Sequence, residues 1–600
     1  MLRLLAWTPG LAALIIATLS ASPCRAAQPP QTDSTTLIRL AASEFPNLTH
    51  TERALLEFAD VKKRARGDFA TAGPSAVPND PSNDPAHADR WDHDREVRAE
   101  LIQWLCVDPD VSRLVDPRGI RLLGARVTGK LDLSHIRIPF GIAMIRCSIP
   151  EQINLNSAEI PKLNFNGSST GEILAENIVV AGDADIGSDG TDDYGGPFRA
   201  SGRVDLWGAR VDGTMFFGGG KFHASAAPVI IDPEQQLKIA LDLRAVAVKG
   251  YVVIGFGFES QGAVLLEGAT IGGRLICMGG HFINPGNVAL TANSASIGGD
   301  VSLAGYEQSG DFEADGLVRF VTAHVGGNFY VHQAKFKGAR ASVHGLDATA
   351  MEVQKALVWQ KVDLQNGATL NLAVAKVAFL VDDEQSWPKP GDLILDGFAY
   401  SGLTPPVDAP SRLRWLALQP PGLHLQPYRQ LAKVLRETGD EPGALEVLIA
   451  EEDARYLKFG FLGALWGGFL KWTIGYGHRP LLAIAWSLAV VLLGWGLVRT
   501  AERAGVMRPT WPENRPANFD RYERLSPFLY SIDVFVPFVN LHQERYWWPD
   551  ADAAGQLAIL GRKIRISGRW LRRYLWLQII AGWILSAILV AGVTGLLRND

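Results

Sequence analysis

The chain has few cysteines, four in 600 residues. Cys24 lies in the N-terminal segment, and Cys106, Cys147 and Cys277 are scattered through the rest. An odd, scattered set of this kind does not predict a disulfide framework. Cys147 and Cys277 stand in apolar, strand-like runs, which predicts that their thiols are buried as small hydrophobic groups.

The chain also lacks a strong excess of charge and the common catalytic motifs. Its net charge is −5, from 58 basic and 63 acidic residues, so nothing favours a nucleic-acid partner. No H-E-x-x-H, phosphate-loop or C-x-x-C motif is present. We interpret Asp92 and Asp94, on either side of His93, as helix caps rather than metal ligands. We therefore predict no catalytic residue, no cofactor and no metal site.

A repeated phrase, V-x-L-x-G-A-x-V-x-G, dominates the middle of the chain. Neighbouring copies lie roughly 23 to 30 residues apart, which fits one coil of a solenoid. We predict a mainly β protein with a right-handed β-helix over residues 119–400, carrying loops at Gly187–Arg203 and Ser225–Gln236. The clear and weaker copies are Ile120–Gly129, Val204–Gly213, Val264–Gly273, Leu241–Gly250, Leu290–Gly299 and Val318–Gly327.

The N-terminus has the pattern of a secretory signal peptide over residues 1–27. Arg3 provides the positive start, Leu11–Leu19 is apolar, and Ala26 or Ala27 offers a cleavage site. An uncleaved N-terminal anchor is the alternative.

Residues 28–118 are predicted to form a helical cap on the solenoid. Thr51–Arg64 and Asp94–Leu105 both have an apolar face at helical spacing, and Asp92 or Asp94 could cap the second helix. Such a cap would cover the first coil and prevent edge-to-edge association.

The C-terminal third of the sequence changes from strand patterns to helical ones. Residues 411–478 are predicted to hold a helical hairpin and a juxtamembrane segment. Residues 479–600 are predicted to form a membrane domain, because Leu481–Val498 and Tyr574–Leu597 carry no charge over a membrane-crossing length. Arginines next to both spans place the loop between them in the cytoplasm, and hence the solenoid in the periplasm.

One short motif in this region resembles a channel filter. Thr473, Ile474, Gly475, Tyr476 and Gly477 match the T-V-G-Y-G phrase whose backbone carbonyls replace the hydration shell of K⁺ in tetrameric channels. A turn that ends a helix before Pro480 explains the two glycines equally well.

A second apolar stretch, Ser526–Leu541, lies inside the predicted cytoplasmic loop. Asp533, Pro537 and Asn540 interrupt it, so we do not expect it to span lipid. It is a candidate re-entrant or partner-binding segment, with a packed interfacial loop as the alternative. The Gly582-x-x-x-Ser586 spacing allows close helix approach and weakly suggests a homo-oligomer.

Several segments resemble one largely uncharacterised family, the bacterial pentapeptide-like repeat membrane proteins. The resemblance covers most of the chain after about residue 90 and implies a pentapeptide-like solenoid attached to a membrane domain. It implies no particular activity. The segments that carry it are Trp91–Leu105, Arg118–Ser134, Tyr428–Ala444, Thr473–Pro480 and Tyr530–Leu541.

Three functions follow from this reading. The first is a non-enzymatic inner-membrane protein whose periplasmic solenoid presents a surface to an envelope protein or a glycan. The second is an ion channel or transport component that uses the T-I-G-Y-G motif or the 526–541 segment. The third is a carbohydrate-active β-helix enzyme, for which Asp132, Asp205, Asp242 and Arg244 are candidate outward-facing residues.

Overall fold

The computed structural model describes most of the chain between residues 35 and 593. The predicted signal peptide lies outside the described residues, as do parts of both predicted solenoid loops and residues 594–597 of the second predicted span. The described residues are 35–63, 69–72, 81–188, 196–225, 229–232, 235–338, 344–405, 407–422, 424–477, 479, 481–510, 524–559 and 562–593.

Helices stand at both ends of the chain, on either side of a long run of strands. The α-helices are Thr36–Glu44, His50–Ala59, Ala99–Val107, Pro109–Ser112, Ala409–Leu416, Leu425–Glu437, Glu441–Leu457, Gly460–Ile474, Leu481–Arg503, Pro527–Phe535, Gln543–Tyr546 and Gly568–Val593. Short 3-10 helices span Pro81–Asn83, Pro85–Arg90, His93–Arg95, Glu384–Ser386 and Gly475–Gly477.

The strands build a solenoid with four sides. Leu163–Asn164, which follows four strands after Ile142–Ile145 in the chain, pairs with it in parallel. Each coil here is therefore 21 residues long, the separation of Ile142 from its partner Leu163. All strands of the solenoid belong to one 38-stranded sheet whose ladders are parallel. The prediction of a parallel β solenoid is confirmed.

Each side of the solenoid is a ladder of parallel strands from successive coils. The first side contains Ile120–Leu123, Ile142–Ile145, Leu163–Asn164, Ala184–Asp185, Met215–Phe216, Val252–Val253, Leu275–Ile276 and Val301–Ala304. The second contains Arg126–Thr128, Ser148–Ile149, Ser169–Thr170, Arg199–Ala200, Lys221–His223 and Glu259–Gln261. The third contains Leu131–Asp132, Ile153–Asn154, Ile173–Leu174, Val204–Asp205, Ile239–Asp242, Ala263–Leu265, His344–Asp347, Thr369–Asn371 and Leu393–Ile394. The fourth contains Glu159–Ile160, Val179–Val180, Arg210–Val211, Ala247–Val248, Thr270–Ile271, Ser296–Ile297 and His324–Val325.

In the later coils some strands become long enough to turn a corner and serve two sides. Glu352–Gln365, for example, pairs with His324–Val325 on the fourth side and with both halves of Phe329–Lys337. The other strands of this kind are His281–Thr291, Phe312–Arg319, Phe329–Lys337, Lys376–Asp382 and Ala399–Leu403. Shorter pairings lie elsewhere: Ala70–Thr71 and Glu96–Arg98 join the first coil, and Val229–Asp232 with Gln235–Leu237, Met507–Pro509 with Trp547–Pro549, and Ala554–Ile559 with Arg562–Ser567 are antiparallel.

Buried side chains in the early coils recur with a five-residue period. Between Ile153 and Val180 they alternate in steps of two and three residues, so each side contributes two inward positions. Side chains alternate between the two faces of a strand, so a two-residue strand turns one side chain inward, and a residue of the adjoining corner supplies the second. The buried positions are Ile153, Leu155, Ala158, Ile160, Leu163, Phe165, Ser168, Thr170, Ile173, Ala175, Ile178 and Val180.

The repeated phrase marks the third and fourth sides. Val204, Leu241, Val264, Leu290 and Val318 are register partners in successive coils. The copy at Ile120–Gly129 is an exception, because Ile120 pairs with Ile142 on the first side. The phrase is thus a strand–corner–strand unit that fits more than one side of the solenoid. The predicted loop Ser225–Gln236 is partly an antiparallel hairpin inserted before the third-side strand Ile239–Asp242.

A column of aromatic rings fills the interior beneath the second side. Neighbouring ring centroids lie 5.1 to 6.0 Å apart, a separation at which aromatic pairs attract each other. The column consists of Phe198, Phe222, Phe258, Phe282, Phe312, Phe336 and Trp359.

The rings zigzag between two inward positions of the strand, and a small residue takes the other position each time. Phe282 is the register partner of both Ser260 and Ala314. Phe312 in turn pairs with Ala334. A Cβ atom added at Gly280 would lie 2.9 Å from the Phe282 ring and 2.9 Å from the Ile254 carbonyl oxygen. Alternation of large and small residues therefore lets the rings interdigitate at close packing.

The corner between the third and fourth sides requires a left-handed backbone in every coil. Gly268 adopts φ 66° there and Val374 adopts φ 59°. The backbone N–H groups of both residues donate to the next coil, Gly268 to Asn293 O at 2.9 Å and Val374 to Asp396 O at 2.7 Å. A β-branched residue is strained in this region of φ, whereas glycine is not.

The N-terminal helices close the first coil around a buried carboxylate. Glu52 accepts hydrogen bonds from the Arg98 guanidinium at 2.8 Å and from Thr49 N at 3.0 Å. Burial alone raises the pKa of Glu52, but these hydrogen bonds outweigh it and hold the pKa below its ordinary value. The carboxylate therefore stays ionised and ties helix His50–Ala59 to the strand Glu96–Arg98.

The predicted start of the second cap helix is wrong. Helix Ala99–Val107 begins after Arg98, and neither Asp92 nor Asp94 caps it. Residues Glu96–Arg98 instead form a strand that pairs in register with Arg126–Thr128. Pairing with the open edge of the first coil satisfies backbone groups that would otherwise be exposed, and this outweighs the local helical pattern.

We predict that Phe282→Ala destabilises the solenoid by about 3–5 kcal/mol, because it leaves a cavity in a column that neighbouring coils cannot refill. Phe282→Leu, the matched control, should cost markedly less. Chemical unfolding of the detergent-solubilised full chain, followed by circular dichroism, measures both. Equal losses for the two variants would contradict the cavity argument.

At the left-handed corner, Val374→Gly is expected to stabilise the chain by about 0.5–1 kcal/mol, since relief of about 1–2 kcal/mol of strain exceeds the entropic cost of glycine. Gly268→Val, in the same corner with open space around the added side chain, should destabilise it by about 1–2 kcal/mol. Thermal unfolding midpoints test the pair, and shifts of the same sign would refute the strain argument.

Candidate functional site at the junction of the solenoid and the apolar helices

The last coil of the solenoid is covered by helix Leu425–Glu437. Gln426 Nε2 donates to Phe398 O at 3.1 Å, and Gln426 Oε1 accepts from Gly397 N at 3.0 Å. One helical turn later, Gln430 Nε2 donates to Tyr400 O at 2.6 Å. The two glutamines thus pair with backbone groups that another strand would otherwise occupy. This closes the edge against association with a further strand.

A buried ion pair holds the preceding helix, Ala409–Leu416, in place. The fully buried Arg412 guanidinium donates to both carboxylate oxygens of Asp382, at 2.8 and 2.7 Å. Trp387 Nε1 donates to the same carboxylate at 2.8 Å. Each charge is therefore compensated within the core, as a buried charge must be.

The T-I-G-Y-G motif ends a helix and forms a tight turn. Thr473 and Ile474 are the last residues of helix Gly460–Ile474, and Thr473 Oγ1 donates to Phe469 O at 2.7 Å. Gly475 has a left-handed backbone, and its N–H donates to Leu470 O and Lys471 O. Such a residue commonly terminates an α-helix. Tyr476 is also left-handed, with φ 56°, so the chain reverses into helix Leu481–Arg503.

Polar contacts fasten this turn to the helix Glu441–Leu457, which packs beside the solenoid cap. The Asp453 carboxylate accepts from Tyr476 OH at 2.8 Å and from Lys471 Nζ at 2.6 Å. The Tyr456 and Tyr476 rings stack with centroids 5.4 Å apart. Burial and the bond to Asp453 raise the pKa of Tyr476, so its hydroxyl remains a donor. The motif therefore positions the apolar helices relative to the helical hairpin.

Two neighbouring cavities flank the turn. The first, of about 640 Å³, lies against the apolar helices, and the second, of about 570 Å³, lies against the hairpin. Lys471 and Arg479 line both cavities. This junction concentrates cationic groups, aromatic rings and open volume.

The 526–541 segment packs between the two long apolar helices. Its helical part, Pro527–Phe535, contacts both Leu481–Arg503 and Gly568–Val593. Ser531 Oγ donates to Val491 O at 2.7 Å. Gln578 Nε2 donates to Ser531 O and to Ser531 Oγ, each at 2.9 Å. Hydrogen bonding of this kind is how an interrupted helix satisfies its polar groups among apolar helices.

The three residues that interrupt this segment lie in and after its helical part. Asp533 is buried, and its carboxylate accepts from Leu541 N at 2.6 Å and from Glu544 N at 2.9 Å. Asn540 Oδ1 accepts from His542 N at 3.0 Å. Pro537 lies in the turn that these bonds enclose. Within the chain, Asp533 thus folds the segment back on itself.

Two glycines permit the close approach of these helices. A Cβ atom at Gly494 would clash with Ser531 Oγ, and one at Gly582 would clash with Phe535 O. The helix surface at Gly582 is therefore covered by helix Pro527–Phe535 of the same chain. Self-association through Gly582 and Ser586 stays a prediction.

The candidate polysaccharide residues lie on the third side of the solenoid. Asp205 and Asp242 are register partners in adjacent coils, whereas Asp132 lies three coils away. Arg244 binds the Asp242 carboxylate through Nη2 at 2.7 Å. Burial, with Asp242 nearby, raises the pKa of Asp205 to about 6.

These carboxylates have local structural partners. Asp205 Oδ1 accepts from Trp207 N at 3.1 Å, and Asp242 Oδ1 accepts from Arg244 N at 3.2 Å. Each bond holds the corner that follows its strand, as Asx turns do. Among the described residues, no group of three or more His, Cys, Asp or Glu side chains could hold a metal ion.

No protein-family model matches the chain, and no curated protein or solved structure shows a significant match. The family membership suggested by the sequence segments therefore stays a prediction.

The close helix packing yields a matched pair of variants. Gly494→Leu should destabilise the apolar helices by about 1–3 kcal/mol, because the side chain displaces Ser531 and Gln578. Gly496→Leu, two residues away on the same helix with open space around its Cβ, should have little effect. Thermal aggregation of the detergent-solubilised protein, followed by size-exclusion chromatography, compares them. Similar losses of thermal stability in both variants would show that the contact of Gly494 with Ser531 and Gln578 is not what limits the size of the side chain there.

Proposed function

We propose that the chain is a non-enzymatic membrane-anchored scaffold of the bacterial envelope. In this proposal the two long apolar helices cross the inner membrane. The solenoid, with the right-handed winding usual for such folds, stands in the periplasm and presents its flank to an envelope protein or a glycan. The observation that carries the proposal is a closed solenoid joined to helices that expose apolar surface.

The apolar helices have the properties of an anchor. Leu482–Arg503 and Gly568–Val590 are long and apolar enough to cross a membrane, with mean hydropathies of 1.9 and 1.6. Large side chains on both point outward, among them Leu488 at 56% and Leu577 at 64% exposure. Apolar surface of this extent is unfavourable in water and favourable in lipid.

Charge supports the proposed sidedness. Arg503 is the last residue of the first helix and Arg508 follows it, and Arg569, Arg572 and Arg573 stand at the start of the second. Arginines close to both helix ends favour a cytoplasmic loop. On the opposite side, the charge of Lys471 is offset by its ion pair with Asp453.

The fourth side is the part of the solenoid best suited to a partner. Its outward residues are exposed in successive coils, and in the middle coils they are small, which leaves a flat wall. The corresponding residues of the third side, such as Asp242 and Leu265, are buried. The exposed residues are Arg210, Ala247, Thr270, Ser296, His324 and Lys376, and Glu352 is half-buried.

The channel and enzyme alternatives receive less support. Gly475–Gly477 form a turn held by Asp453, whereas a filter needs its carbonyls directed into a shared pore. The paired aspartates of the third side are engaged in corner and arginine contacts.

Cysteine labelling of the full chain tests the proposal. Ser296→Cys reports on the fourth side, and Asp552→Cys reports on the loop between the apolar helices. Cys106, Cys147 and Cys277 are buried and should not compete. We expect an impermeant maleimide to label Ser296→Cys in spheroplasts and to label Asp552→Cys only after detergent is added. Labelling of Asp552→Cys in intact spheroplasts, or recovery of the chain in the soluble fraction, overturns the proposal.

A further inference from the structure

Two cations line an apolar groove beside the G-Y-G turn. The larger cavity runs between helices Gly460–Ile474 and Leu481–Arg503, and Lys471 and Arg479 are its charged residues. Among the described residues, no carboxylate lines it. Its apolar lining includes Trp472, Leu482 and Trp486.

The groove has space for a chain-like apolar ligand. Gly468, Ala485 and Ala489 are small residues in its lining. The Trp472 and Trp486 rings lie 4.3 Å apart, and Trp486 Nε1 donates to Trp472 O at 3.2 Å, which holds the rings at one end. Tryptophan at such a position is typical of a membrane–water interface.

The two cations differ in how far their charge is compensated. Lys471 pairs with Asp453, which lines the smaller cavity together with Glu446. Arg479 is exposed, and its stem packs against Gly475. Within the described part of the chain, no carboxylate lies within ion-pair distance of Arg479. The uncompensated positive charge of Arg479 therefore faces the apolar groove.

We infer that this groove binds an anionic phospholipid. Arg479 and Lys471 bind the headgroup phosphate, and an acyl chain lies along the small residues between the two helices. Charge complementarity selects the headgroup, and the small and aromatic residues of the lining accommodate the acyl chain. The inference rests on the proposed membrane location of the apolar helices.

Native mass spectrometry of the full chain, released from detergent with phosphatidylglycerol or phosphatidylcholine added, tests the inference. We expect wild-type protein to retain phosphatidylglycerol preferentially. Arg479→Gln, and more strongly the Lys471→Gln/Arg479→Gln double variant, should lower that retention at least tenfold. Arg508→Gln, which removes an exposed arginine in strand Met507–Pro509, beyond the far end of helix Leu481–Arg503, should leave it unchanged. Ala485→Phe should reduce retention of both lipids by filling the groove.

Other outcomes decide against the site. Equal retention of the two lipids, equal loss in Arg508→Gln, or full competition by glycerol phosphate would each overturn it. Full competition by glycerol phosphate would show that the acyl chain contributes nothing to binding. Membrane fractionation of the same variants separates the two proposals. A chain found in the soluble fraction refutes the anchor itself, whereas a membrane-bound chain without lipid preference refutes the lipid site alone.

Discussion

Hydrogen bonding between successive coils is the constraint on which the structure depends. Every coil donates to and accepts from its neighbours through parallel ladders, so the first and last coils each leave an edge of unpaired backbone groups. An open edge recruits further strands. At the start, strand Glu96–Arg98 and the Glu52–Arg98 pair cover that edge. At the end, Gln426 and Gln430 bond to the last strands, and the Arg412–Asp382 pair fixes the covering helices.

The interior follows from the same stacking. Because each coil lies directly on the next, register partners in successive coils pack against each other. The column from Phe198 to Trp359 alternates between two inward positions. Gly280, Ser260 and Ala314 supply the space opposite the rings. Packing at this density explains why the glycines and small residues of the repeats are as necessary to the fold as its large apolar residues.

The junction links this rigid solenoid to the apolar helices. Asp453 contacts Lys471 and Tyr476, so a side chain of the helical hairpin sets where the apolar helices begin. Beyond it, Ser531 and Gln578 hold an interrupted helix between two long ones. If the proposed scaffold is anchored in this way, its fourth side keeps a defined orientation to the membrane. The basic residues and tryptophans of the junction then lie where lipid headgroups are expected.

Local patterns in the sequence determined the kind of each element. The repeated phrase predicted stacked coils, and charge-free runs predicted the two apolar helices. Burial of Cys147 and Cys277 followed from their apolar surroundings in the sequence. These predictions succeeded because periodicity and composition act within one element.

Only the tertiary structure decided which elements are neighbours. Ile120 begins a copy of the phrase yet lies on a different side from Val204. Glu96–Arg98 lies in a helical pattern yet forms a strand, because the first coil offers it an edge. The adjacency of Asp205 and Asp242, and the contact of Tyr476 with Asp453, depend equally on register and packing. Such contacts join residues far apart in the chain, so they arise from the stacking of coils and helices and not from any local pattern.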